Sequence, residues 1–157
     1  MKGKEFRFGL FQLISVIIET RCGLIDPRTG LWSVIAFKAF KPKKGAIIFA
    51  DANGLKELND TYGYDHGHLL LENIGKFFLR LVAQNDSRAF RIGGDEFVII
   101  TSNLENGRQL LKEIKIEPYL NLAVGIALIK GDFLKALKRA EIEMKEDKSS
   151  RKEKAWV

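Results

Sequence analysis

A single cysteine, Cys22, is the only thiol in 157 residues. That excludes an internal disulfide and fits a reducing compartment, so a cytoplasmic location is expected. Only two histidines accompany it, which argues against the Cys/His donor sets of a zinc site. Long hydrophobic runs are also missing. The most apolar stretch, Phe8 to Ile18, is interrupted by Gln12 and Ser15 and reaches about half of the roughly 20 residues a membrane-spanning helix needs. Glu19-Thr20-Arg21 behind it offers no small-residue cleavage site for a signal peptide. A buried or dimer-forming N-terminal segment is the expectation, with no membrane span. No repeat or low-complexity tract precedes the lysine-rich tail.

What remains is the composition of one globular domain, 46% hydrophobic and 29% charged. The net charge of +6 is concentrated in Lys41, Lys43 and Lys44 and in the tail from Lys145 to Lys154. Lysine spread in this way marks solvated loops and helix faces and suits a polyphosphate ligand. Nucleic acid is not an expected partner.

Ala46-Ile47-Ile48-Phe49-Ala50 follows a turn-like Lys-Pro-Lys-Lys-Gly stretch and reads as a buried strand. Leu55 to Tyr62 reads as a helix stopped by Gly63. A second helix from Gly67 carries Leu70, Leu71, Ile74, Phe77, Phe78 and Leu81 at helical spacing. A hairpin follows, with Ala89 to Ile92 and Phe97 to Ile100 as its arms. Asn106 to Ile114 reads as a helix, Leu122 to Ile129 as a strand, and a last helix runs from an Asp132 cap to about Lys148. The order is the split βαββαβ pattern: an α+β, ferredoxin-like palm with extra helices at both ends. Its first and third strands are central neighbours.

That topology gives meaning to Gly93-Gly94-Asp95-Glu96-Phe97. Adjacent carboxylates at a Gly-Gly turn repel one another unless a cation intervenes, though the stretch alone could be an ordinary acidic turn. Asp51 closes the first strand and Asp95 and Glu96 open the third, so three carboxylates converge at one sheet edge. Oxygen donors of this kind suit Mg²⁺ (or Mn²⁺), which uses one or two carboxylates together with substrate phosphates. A nucleoside triphosphate is the implied ligand, attacked at its α-phosphorus by a hydroxyl.

Asp51-Ala52-Asn53-Gly54-Leu55-Lys56-Glu57-Leu58-Asn59-Asp60-Thr61-Tyr62-Gly63, followed by Arg91-Ile92-Gly93-Gly94-Asp95-Glu96-Phe97, resembles the GGDEF domain of diguanylate cyclases. Asp26-Pro27-Arg28-Thr29-Gly30-Leu31 is similar to that family's DxLTGL motif, and Val124-Gly125-Ile126-Ala127 to its SIGIA strand. The resemblance implies a GGDEF-type nucleotidyltransferase domain over residues 24–152, flanked by an N-terminal segment (1–23) and a tail (153–157). It implies condensation of two GTP molecules into cyclic di-GMP by a homodimer, each domain holding one GTP. Carried over by position, Asp51, Asp95 and the Ala52 carbonyl are the metal ligands. Glu96 belongs to the metal site and activates the 3′-hydroxyl. Gly93 and Gly94 let the nucleotide approach the backbone, Asn59 reads guanine, and Lys148 and Lys152 hold the triphosphate. A helix cap is the plainer account of Asn59, and a solvated lysine tail that of the two lysines.

The sequence also departs from the family. His68 replaces the aspartate that pairs with guanine; an ionised carboxylate accepts two guanine hydrogen bonds at once and histidine does not. ATP therefore enters as an alternative substrate to GTP, although a surface histidine at a helix start is the bland reading. Tyr64 replaces a histidine. The RxxD product-inhibition pair falls on Gln84 and Ser87, so that feedback is not expected. The motif after Leu31 loses its Asn-Arg continuation to Ser33-Val34, the segment from Phe97 to Val124 is short, and Glu143 and Lys145 replace small and aromatic residues of the last helix. A 157-residue chain leaves no room for a sensory domain, so regulation is expected from elsewhere or from self-association. Two rivals follow: a degenerate GGDEF domain that binds nucleotide as a regulatory module, and a palm-type synthase of another, adenine-containing cyclic dinucleotide.

Overall fold

The computed structural model describes residues 22–117 and 119–150. Phe8 to Ile18 and Lys152 lie outside these residues.

The elements are α1 (Val34–Ala39), β1 (Lys44–Ala52), α2 (Leu55–Tyr62), α3 (Tyr64–Ala83), β2 (Ser87–Arg91), β3 (Glu96–Thr101), α4 (Leu104–Ile116), β4 (Leu122–Lys130) and α5 (Phe133–Ser150). They form a four-stranded sheet in the order β2-β3-β1-β4, with every pairing antiparallel. This is the expected ferredoxin-like order, and β1 and β3 are the inner pair.

β1 is buried at every position after Lys44 because both faces of the sheet are covered. Ile48, Ala50, Phe97, Ile99 and Val124 face α3 and α4, which supply Leu70, Leu71, Ile74, Phe78, Leu110 and Ile114. Ile47, Phe49, Val98, Ile100 and Ala127 face α1 and α5, which supply Phe37, Phe133, Ala136, Ala140 and Met144. Alternation of side chains along each strand assigns odd residues of β1 and even residues of β3 to the α5 side.

Three elements differ from the sequence expectation. α3 begins at Tyr64 rather than Gly67, because Gly63 at φ 88° both ends α2 and starts α3. Gly67 lies within α3 and is buried. α4 begins at Leu104, where the Asn103 side chain caps the Asn106 amide at 2.9 Å. α1, six residues capped by Ser33, has no counterpart in the sequence reading. Asp132 does cap α5 as expected, accepting from the Lys135 amide at 2.9 Å.

Both sheet edges are covered, which removes templates for unwanted strand pairing. Along β2, the Trp32 amide donates to Ala89 O (3.1 Å) and the Arg91 amide to Trp32 O (2.8 Å). Along β4, α5 supplies carboxylates: the Val124 amide donates to Asp147 Oδ2 (2.9 Å) and the Ile126 amide to Glu143 Oε2 (3.1 Å). Four helical residues rise about 6 Å and two strand residues about 6.8 Å, so the spacings match. Gly125 permits this contact, since a Cβ there would lie 2.2 Å from Ala140 O. Glu143 thus has a structural task, capping an outer amide of β4. Among the described residues no helix is long and apolar enough to cross a membrane.

Candidate functional site

The inner strands place Asp51 directly opposite Glu96, and both side chains belong to the sheet face covered by α5. Asp51 is one residue short of the strand end, only 8% exposed, and its Oδ1 receives Lys148 Nζ at 2.6 Å. Glu96 opens β3, and Asp95 lies in the turn before it, its carbonyl accepting the Ala52 amide at 2.9 Å. Burial foremost, then the charges of Asp95, Asp51 and Glu141, raise the pKa of Glu96 above the usual glutamate value, while Lys145 pulls it down. The fold therefore brings together Asp51, Asp95 and Glu96, with the Ala52 backbone tied to the same turn.

The hairpin turns at the glycines, as the sequence implies, with β2 and β3 antiparallel on either side. Neither Gly93 nor Gly94 has positive φ. The chain makes a four-residue bend from Ile92 to Asp95, closed by the Ile92 and Gly93 amides donating to Glu96 O (2.9 and 3.3 Å). Arg91 Nη2 grips Gly94 O at 2.7 Å, and Arg91 Nη1 meets Asp26 at 3.2 Å. A Cβ on Gly93 would sit 2.6 Å from Glu96 Oε2, whereas Gly94 has nothing within 4 Å. Gly94 thus faces open space at the tip of the bend.

Asp26 accepts from the Thr29 amide (2.9 Å) and hydroxyl (2.6 Å). Burial alone would raise its pKa, but Thr29 and Arg91 outweigh it and the net shift is downward. The Asp26–Arg91 bridge couples the DxLTGL-like loop to the acidic turn; both residues were in view in the sequence, but not their contact.

Asn59 is half-buried on α2, and its Oδ1 is buried without a hydrogen-bond partner. It packs on Gly67, where a Cβ would approach Asn59 Oδ1 to within 2 Å. His68 is the next residue, half-buried on α3. The two base-reading candidates are therefore neighbours at the α2–α3 junction. Lys148 reaches the carboxylates; Lys152 lies outside the described residues. Glu141 and Lys145, two turns and one turn before Lys148, were not singled out as site residues, although the spacing 141, 145, 148 is a helical stripe.

No group of three His, Cys, Asp or Glu side chains among the described residues closes on a single point. The oxygen-only donor set of Asp51, Asp95 and Glu96 still fits a Mg²⁺ that takes one or two carboxylates and completes its shell with substrate phosphates and water.

An antiparallel βαββαβ sheet with carboxylates facing one another on its two inner strands defines a palm-type domain. The family model described as "Diguanylate cyclase, GGDEF domain" matches residues 31–154, and the chain belongs to the GGDEF domain family. The bifunctional diguanylate cyclase/cyclic di-GMP phosphodiesterase MucR of Pseudomonas aeruginosa is 34% identical over 104 residues, 57% of this chain and 15% of MucR. Diguanylate cyclase DgcS of Shewanella oneidensis is 38% identical over 73 residues, 45% of this chain and 24% of DgcS. The chain thus spans less than a quarter of the length of these curated relatives. Among solved structures, a microbial GGDEF domain described in an interaction with cyclic di-GMP superposes with TM-score 0.65 at 25% identity, covering 81% of this chain and 94% of that one. The coiled coil and GGDEF domain of DgcB from Caulobacter crescentus superposes with TM-score 0.71 at 17% identity, covering 92% and 91%, and supports the fold alone.

Proposed function

We propose that this chain is a metal-dependent nucleotidyltransferase that joins two nucleoside triphosphates, GTP by default, into a cyclic dinucleotide. Each 3′-hydroxyl attacks the α-phosphorus of the other nucleotide, two phosphodiester bonds form, and two pyrophosphates leave. The observation that carries the reading is the Asp51–Glu96 pairing across β1 and β3, in a domain whose curated relatives are diguanylate cyclases.

Asp51 and Asp95, with the Ala52 carbonyl, would hold Mg²⁺ or Mn²⁺, and Glu96 borders the same site. The metal, when bound, supplies positive charge to the attacking and leaving oxygens. Glu96, with its raised pKa, is suited to accept the 3′-hydroxyl proton. Gly94 leaves room for the phosphates, and Lys148 and Lys152 balance their charge. Asn59 and His68 border the base, each domain holds one nucleotide, and a homodimer completes the reaction in the cytoplasm. His68 weakens guanine selection and brings ATP within the substrate range.

The test is incubation with Mg²⁺ or Mn²⁺ and GTP, ATP or both, with products resolved by chromatography. A cyclic dinucleotide is expected, its base content reporting the effect of His68. Folded, concentrated protein yielding no product from any mixture contradicts the reading. His68 also favours one second reading, a nucleotide-binding regulatory module. That reading predicts tight binding without turnover, unchanged by Asp95→Asn.

A further inference from the structure

Helix α5 has three functional flanks. At about 100° per residue, buried Ala140 and Met144 mark the line that rests on the sheet. Glu143 and Asp147 fall to one side of it and bind the outer edge of β4. Glu141, Lys145 and Lys148 fall to the other side, over β1 and β3, and Lys148 reaches Asp51 there.

Lys145 is the cation of this flank that no motif accounts for. Its Nζ pairs with Glu141 Oε1 at 2.5 Å, and Glu141 Oε2 takes Lys138 at 3.2 Å. The Lys145 side chain remains 62% exposed. It lies close enough to Glu96 for the two charges to act on one another. A triphosphate carries more negative charge than Lys148 alone balances, and Lys145 stands one turn before it on the same flank. An exposed lysine–carboxylate pair is weak, and a phosphate accepts strong charge-assisted hydrogen bonds from the same ammonium.

We propose that Lys145 is a further polyphosphate-binding residue, paired with Glu141 and transferred to the terminal phosphates when a nucleotide binds. The inference rests on the proposed nucleoside triphosphate site and adds to it a contact particular to this chain. Glu141 becomes a competitor for the ligand's cation.

The test is calorimetric titration of the full chain with Mg²⁺–tripolyphosphate and, separately, with GMP, for the wild type, Lys145→Met, Lys145→Arg, Glu141→Gln and the Glu141→Gln/Lys145→Met double variant. Lys145→Met is expected to weaken tripolyphosphate about tenfold, the scale of one charge-assisted hydrogen bond, and to leave GMP unchanged. Lys145→Arg restores binding, Glu141→Gln tightens it, and the double variant stays weak. Wild-type affinity for tripolyphosphate in Lys145→Met overturns the inference. Full recovery in the double variant also overturns it, because Lys145 would then act only by neutralising Glu141. A wild type that binds neither tripolyphosphate nor GMP is a different failure, that of the site itself.

Discussion

Lys148 Nζ donates to Asp51 Oδ1 at 2.6 Å, a contact between residues 97 apart in the chain. It carries the last helix onto the inner strand and neutralises a carboxylate that is otherwise almost fully buried. In the proposed site the same carboxylate serves a metal and the same lysine serves a phosphate, so ligand binding separates the pair.

Two opposite effects of one substitution follow. Lys148→Met removes a competitor for Asp51 and should tighten Mn²⁺ binding in the absence of nucleotide. It should weaken Mg²⁺–triphosphate binding about tenfold, the loss of roughly one charge-assisted hydrogen bond. Titrations with the metal alone and with the metal–nucleotide together distinguish these outcomes; weaker binding in both would contradict the exchange.

Glu96 and Asp26 should give opposite stability profiles with pH. Glu96 has a raised folded-state pKa, so its proton binds more tightly in the fold than in the unfolded chain. Its contribution is favourable below the ordinary glutamate pKa of about 4.3 and is lost as pH rises through the folded value. Glu96→Gln should therefore raise Tm at pH 7, with the gain disappearing near pH 4. Asp26 has a lowered pKa, so its contribution is present above the ordinary aspartate value of about 3.9 and lost as pH falls through the folded value. Asp26→Asn should lower Tm at pH 7 and cease to matter in strong acid. Thermal melts across this range read both signs.

The two glycines of the acidic turn should separate by kinetics. Gly93→Ala places a methyl against the Glu96 carboxylate and should lower kcat about tenfold, a cost near 1.4 kcal/mol. Gly94→Ala meets no protein atom and should leave Tm unchanged while raising KM for the triphosphate. Steady-state rates of the two variants decide; indistinguishable profiles would contradict the assignment of Gly94 to the ligand side.

Strand order was legible because Ala46–Ala50 and Phe97–Ile100 are apolar runs bounded by turn residues, and that order alone makes Asp51 and Glu96 neighbours. The Asp26–Arg91 bridge was not legible, since nothing local in either segment selects a partner 65 residues away. Glu143 read as a departure from the family because its partner is a backbone amide on β4, exposed only when strands and helix are assembled. The hairpin at Gly93-Gly94 was legible, but not how it closes: Arg91 and the Glu96 carbonyl hold the bend without positive φ. α1 carries six residues, too few to display a helical period.

His68→Asp should restore guanine selection. A bidentate carboxylate contact contributes about 1–3 kcal/mol of discrimination, or roughly 5- to 150-fold, in the GTP-to-ATP ratio of kcat/KM. Competition assays with both nucleotides measure it. An unchanged ratio would remove position 68 from base recognition.

Pyrophosphate release by the wild type and by Asp95→Asn, compared at equal Tm with Mg²⁺ and a GTP–ATP mixture, tests the joining of nucleotides at the Asp51–Glu96 edge most directly. The account predicts sustained release by the wild type, matched by cyclic dinucleotide, and a fall of at least about 100-fold, some 2.7 kcal/mol, in the variant. Equal rates from the two proteins would contradict it.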